Sequence, residues 1–146
     1  MSQRLIVDAS CALQIILPGA HTAHVQALLS DWQQRGYRLC APTLWAYEMT
    51  STLCKARHFR ALTGAEGQRA LSLVHSLDVD LFPPDRVQTE RAYDWTIRLQ
   101  RASAYDSFYL ALAETLACEL WTVDRRLYQA VDLPWVRWAG VPDGVE

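Results

Sequence analysis

The chain has little that would place it in a membrane or an oxidising compartment. Its four cysteines, Cys11, Cys40, Cys54 and Cys118, contain no CxxC pair and each lies among apolar neighbours. They read as small core residues, not as a disulfide or zinc framework. No apolar run approaches the ~20 residues that cross a bilayer, and the first residues enter a strand-like run with no basic region and apolar signal core. A soluble cytoplasmic protein without membrane association is expected. The sequence also lacks a GxxxxGK[ST] phosphate loop, a GxGxxG turn and a nucleophile elbow, so the common nucleotide-binding and serine-hydrolase sites are excluded. Repeats, low-complexity tracts and linkers are absent. With a net charge of −2 the chain is not coated in positive charge for general nucleic-acid binding. Lysine is nearly missing: Lys55 stands alone, and the remaining cations are arginines, whose planar fork matches a phosphate bidentately.

What is present suffices for one core. A chain of 146 residues at 51% hydrophobic composition folds as a single domain, residues 1–146. Strand patterns at 3–8, 38–41, 79–82, 119–123 and 135–138 alternate with helical ones at 10–17, 21–35 and from 43 onward. Further helices run from Thr63 to Leu77, from Asp85 to Arg101, from Asp106 onward, and briefly after Asp124. Gly36 is placed to cap the second helix, and Thr63 with Glu66 has capping-box spacing. Regular alternation requires a parallel sheet with right-handed crossovers. The expected fold is therefore α/β, with about five short parallel strands.

Four acids stand where a carboxylate is awkward unless something binds it. Asp8 ends the buried run Arg4–Val7, and Asp124 follows the strand Leu120–Val123, so two strands deliver acids to the carboxyl edge of the sheet, where such folds bind ligands. Asp106 opens a helix on the same face as Leu110 and Ala113, and Glu48 borders the apolar stripe of Trp45, Met49 and Leu53. Asp8, Asp106 and Asp124 each have an alternative role as helix caps. Glu48 does not, and the coincidence of four favours a site. Carboxylates sharing a small space raise one another's pKa, a conflict that a hard divalent cation removes. Mg²⁺ or Mn²⁺ takes oxygen ligands and supplies an activated water for phosphate-ester hydrolysis.

The segments VDAS (7–10), PTLWAYE (42–48), ASAYDSFYLALAE (102–114) and WTVDRRL (121–127), in that order over almost the whole chain, resemble a PIN domain, specifically a VapC-type toxin ribonuclease. The resemblance places the family's four acids on Asp8, Glu48, Asp106 and Asp124, and its hydroxyl residue on Thr122. It implies a three-layer α/β/α domain that cuts RNA with Mg²⁺ or Mn²⁺, leaves a 5′-phosphate and a 3′-hydroxyl, forms a homodimer, and is held inactive by a cognate antitoxin. Asp8, Asp106 and Asp124 would hold the metal, with Glu48 binding directly or through water. Thr122 and Ser10 would support them, and Arg125 and Arg126 would grip RNA phosphates.

Two other readings compete. A phosphotransfer or phosphatase domain would use Asp8 as nucleophile, but its usual second acid two residues on is Ser10 here. A PIN-fold interaction module would bind a partner without cutting. His21 and His24 are spaced for a shared metal but have no local partner, so a solvated helix start is the better reading. Six Trp and six Tyr exceed what a small core easily hides and point to an interface. Leu13, Ile16, Leu17, Val25, Leu28 and Leu29, together with the helix from Thr63, could line a groove for an antitoxin helix, although most of them should face the sheet.

Overall fold

The computed structural model describes residues 3–143. Strand β1 (Arg4–Val7) is followed by α1 (Ala9–Ile16), α2 (Thr22–Gln34), β2 (Arg38–Pro42), α3 (Leu44–His58) and α4 (Gly64–Ser76). Then come β3 (Asp80–Phe82), α5 (Arg86–Arg98), α6 (Tyr105–Leu116), β4 (Glu119–Thr122), α7 (Arg125–Val131) and β5 (Val136–Trp138). All five strands are parallel, in the order β3-β2-β1-β4-β5. The chain steps outward from β1 through β2 to β3, then returns to lay β4 against the other side of β1. That reversal opens a crevice between the carboxyl ends of β1 and β4.

Leu5, Ile6 and Val7 are all buried because helices cover both faces of the sheet. Leu5, Val7 and Leu39 pack with Val25 and Trp32 of α2, while Ile6, Cys40 and Leu120 face a larger core built from α3, α4 and α6. The result is three layers. Local signals explain several boundaries. Thr63 accepts from the Glu66 amide at 3.2 Å and Glu66 accepts from the Thr63 amide at 2.9 Å, completing the capping box. Gly36 adopts φ +77° beyond α2, where its amide donates to Gln33 and that of Tyr37 to Trp32.

One boundary differs in a way that matters for the site. Helix α5 stops at Arg98 instead of reaching Arg101, because Gln100 takes a left-handed conformation (φ 54°) and the Arg101 amide donates to Thr96 at 3.1 Å. The chain turns there and carries Arg101 toward α6. The tryptophan surplus is also absorbed differently from expectation. Trp32, Trp45 and Trp95 are buried and Trp121, Trp135 and Trp138 half-buried, so the exposed aromatics are Tyr47, Phe59, Tyr93 and Tyr105. Ile16 and Val25 are core residues, and Leu13, Leu17, Leu28 and Leu29 pack partly buried against the two cores. Among the described residues no helix is long and apolar enough to cross a membrane.

Ala117 ends α6 in a left-handed conformation (φ 51°), which costs a residue with Cβ roughly 1–2 kcal/mol relative to glycine. It is exposed, at the edge of the sheet away from the crevice. Ala117→Gly should stabilise the protein by about 1 kcal/mol, raising Tm by roughly 2–4 °C. Calorimetry showing an unchanged or lowered Tm would contradict this account of the helix end.

Candidate active site

Asp8 follows β1 directly and caps α1, with one carboxylate oxygen accepting from the Cys11 amide at 2.9 Å and from the Ser10 hydroxyl at 2.7 Å. Its other oxygen accepts from Thr122 Oγ1 at 2.5 Å. The parallel register that pairs Val7 with Trp121 sets Asp8 level with Thr122, and the Asp8 amide donates to the Trp121 carbonyl at 3.2 Å. Only 6% of Asp8 is exposed, and burial lifts its pKa from 3.8 to about 6 despite these three donors, with the charge of Asp106 adding to the rise. The same burial, with Asp8 beside it, holds the Cys11 thiol protonated. Thr122 is fully buried and also accepts from the Asp124 amide at 2.9 Å. Ser10 accepts from the Val123 amide at 3.2 Å, so one hydroxyl network ties the ends of β1 and β4 together.

The other acids arrive from three helices. Glu48, near the start of α3, accepts from the buried Tyr109 hydroxyl of α6 at 2.7 Å. Burial raises the Glu48 pKa against that hydrogen bond, and Asp106 raises it further. Tyr109 is driven far above its usual range by burial and by Glu48, so its phenol stays protonated and donates. Asp106 lies in the first turn of α6 and pairs with Arg101 Nη1 at 2.7 Å. Burial raises its pKa, Arg101 opposes the rise, and the Asp124 charge adds to it. Asp124 caps α7, one carboxylate oxygen accepting from the Leu127 amide at 3.1 Å. Asp106 is therefore the common electrostatic neighbour of Asp8, Glu48 and Asp124.

The donor set suits a hard cation. Every candidate ligand is a carboxylate oxygen, with no thiolate or imidazole among the four. Among the described residues no three Asp, Glu, His or Cys side chains form a ready-made ligand cluster. The arrangement fits an ion such as Mg²⁺ that keeps most of its waters and takes one or two carboxylates directly. It does not fit a closed zinc-type cage.

Asp8, Ser10 and Thr122 are joined in one hydrogen-bonded network at the crevice, and Asp106 lies in electrostatic reach of Asp8, Glu48 and Asp124. Asp8 and Asp124 cap helices as well, since capping occupies only part of a carboxylate. Asp106 caps nothing through Ser103, because Ala104 is the cap residue and α6 has no side-chain cap bond. Arg125 does not present a free fork: Asp143 holds its Nη1 and Nη2 at 3.0 and 2.9 Å. Arg126 is exposed and makes no ion pair among the described residues. His21 accepts from the Val141 amide at 2.9 Å, which makes it structural. Tyr109 and the pairing of Arg101 with Asp106 escaped the sequence reading. Tyr109 lies three residues after Asp106, one turn along the same helix, and that spacing was the available signal.

Residues 5–133 match the PIN domain family. Ribonuclease VapC9 of Mycobacterium tuberculosis is 39% identical over 127 residues, which cover 84% of this chain and 87% of the relative. Among solved structures, VapC20 of Mycobacterium tuberculosis, described as a sarcin-ricin loop cleaving toxin, superposes with a TM-score of 0.65 at 15% identity, covering 90% of this chain and 96% of that one. A toxin-antitoxin complex from Klebsiella pneumoniae gives a TM-score of 0.61 at 14% identity, covering 91% of this chain and 95% of that chain. At such identities these two structures speak for the fold alone.

The raised pKa of Asp8 makes a prediction about stability in the absence of divalent cations. The folded state holds this proton more tightly than the unfolded state does, so the contribution of Asp8 is most favourable below pH 3.8 and declines until about pH 6. At 1.36 kcal/mol per pH unit the decline totals about 3 kcal/mol. Asp8→Asn removes it, so the stability gap between variant and wild type should widen through that window and level off above it. Urea unfolding at several pH values in EDTA measures the gap; a constant gap would show that Asp8 is not desolvated.

Proposed function

Because the chain belongs to the PIN domain family, we propose that it is a metal-dependent endoribonuclease and the toxin of a toxin–antitoxin pair. The observation that carries the reading is Asp106 at the switch point in electrostatic reach of three carboxylates from other elements, Asp8, Glu48 and Asp124. The VapC9 relative is named a ribonuclease, and its similarity spans most of both chains. Mg²⁺ or Mn²⁺ held there would neutralise charge on the scissile phosphate and supply an activated water.

The chain's own residues then have separable tasks. Thr122, Ser10 and the Cys11 amide fix both oxygens of Asp8, so its orientation does not depend on the ion. Tyr109 does the same for Glu48. Arg101 neutralises Asp106, and with a cation bound there it would be free to meet an RNA phosphate. Arg126 lies on the rim beside Asp124 and offers a second cation to the strand. In the reaction a water oxygen bonds to phosphorus as the bond to the 3′-oxygen breaks. One proton moves to that oxygen, leaving a 5′-phosphate and a 3′-hydroxyl.

A phosphotransfer role for Asp8 is disfavoured by its surroundings, because both oxygens already accept hydrogen bonds and the group is buried. An interaction module would have no use for three acids, Asp8, Glu48 and Asp106, whose carboxyl groups burial and neighbouring carboxylates hold above their ordinary pKa. An antitoxin partner follows from the family and from the complex formed by the Klebsiella relative, and a cytoplasmic location accompanies an RNA substrate. A homodimer belongs to the same proposal. Tyr93 and Ile97, 67% and 60% exposed and one turn apart on α5, give it an apolar surface to use.

Asp106→Asn should keep the fold while cleavage of single-stranded RNA falls by at least about 100-fold, the upper end of what weaker perturbations around metal sites produce. Mg²⁺ or Mn²⁺ should raise the Tm of the wild type by mass action, and EDTA should reverse both effects. Cleavage that survives exhaustive chelation, or an Asp106→Asn variant cutting at the wild-type rate, would overturn the proposed chemistry.

A further inference from the structure

The carboxyl edge of the sheet does not end at the acids. The register that pairs Thr122 with Trp138 continues the row Asp8, Thr122, Trp138 across β1, β4 and β5 at one level. With strands ~4.8 Å apart, Trp138 stands about 10 Å along the edge from Asp8. It borders a cavity of about 460 Å³, lined by Arg125, Tyr128, Gln129, Asp132, Trp138 and Asp143. That volume falls within the ~300–1,000 Å³ range of small-molecule sites.

The indole is fixed from several sides. Its N–H donates to the Val141 carbonyl at 3.0 Å, and the His21 ring meets it edge-on at 5.5 Å. Gly140 lets the chain close on both: a Cβ there would come within 2.6 Å of the indole and 2.7 Å of His21 Nδ1. The Arg125 guanidinium lies over the indole at 4.3 Å from the ring centroid. Asp143 takes its two terminal nitrogens at 3.0 and 2.9 Å. A guanidinium with its inner face on an indole and its fork on a carboxylate cannot also grip a phosphate with that fork. Its side chain is nevertheless 43% exposed and lines the cavity beside Trp138.

We infer that Arg125, held flat by Trp138 and Asp143, is a stacking platform for a nucleobase of the RNA strand. This rests on the ribonuclease reading and assigns that site a base-recognition subsite. Arginine planes and aromatic rings are the surfaces on which proteins stack unpaired bases. The position along the edge puts the stacked base roughly one or two nucleotides from the phosphate held at the acids. Stacking is tolerant of base identity, so the subsite selects unpaired strands with an exposed base and is not a sequence reader.

Arg125→Lys separates stacking from phosphate grip, because it keeps the charge and loses the plane. Binding would be measured in Ca²⁺ to fluorescein-labelled oligoadenylate and to an equally long abasic ribose-phosphate strand, each at several salt concentrations. The wild type should bind oligoadenylate more tightly, and Arg125→Lys should lose about tenfold on oligoadenylate. Its abasic affinity and salt slope should not change. Trp138→Leu, checked for folding by circular dichroism, should reproduce that pattern. Equal affinities of the wild type for the two strands, no loss in Arg125→Lys, or an equal loss on both strands would overturn the inference. Cleavage in Mg²⁺ is read in parallel. A wild type that cuts RNA with Arg125→Lys indistinguishable from it in binding removes the subsite alone; a wild type that cuts no RNA removes the nuclease reading and the subsite together.

Discussion

A single buried carboxylate, Asp8, sets the terms for the rest of this molecule. Ending the central strand, it can be accommodated only where donors converge, and three do: the Cys11 amide in the first turn of α1, the Ser10 hydroxyl and the Thr122 hydroxyl across the strand boundary. The strand order supplies that convergence. Because β4 returns to lie beside β1, Thr122 comes level with Asp8, and the helix leaving β4 starts with a second acid at the same edge. Moving β4 by one position along the sheet would leave a buried carboxylate short of its partner, a loss of several kcal/mol by the usual cost of unpaired buried charge.

The remaining acids turn this arrangement into an electrostatic conflict. Asp106 lies in reach of the other three, and among the described residues the countercharge it pairs with is Arg101. Burial raises Asp8, Glu48 and Asp106 together, and neighbouring carboxylates add to each rise. Protein hydroxyls and amides orient the acids without neutralising them. A divalent cation would relieve the repulsion that folding tolerates, so the same ion would serve stability and catalysis.

Much of this was legible in the chain. Asp8 and Asp124 could be placed because each directly follows a strand, and a carboxyl edge follows from strand–helix alternation alone. Capping and metal binding looked like alternatives for these acids, and the structure shows Asp8 and Asp124 capping α1 and α7. Arg101 was harder, since its pairing depends on the left-handed turn at Gln100, and nothing in a non-glycine residue announces such a turn. Tyr109 sits in the apolar run Phe108–Ala113 and reads as an ordinary core aromatic until α3 delivers Glu48 to it. Arg125 was read by charge as a phosphate ligand. Only the folded chain brings the Asp143 carboxylate onto its fork and the Trp138 ring under its guanidinium.

The central claim is that four carboxylates from separate elements form one divalent-cation site. The most direct measurement is a Mn²⁺ titration followed by electron paramagnetic resonance, which counts free and bound ion without any RNA present. Saturable binding by the wild type near neutral pH, lost in both Asp8→Asn and Asp106→Asn while circular dichroism stays unchanged, is the result this account requires. Mn²⁺ binding that never saturates, or that survives both substitutions, would contradict it.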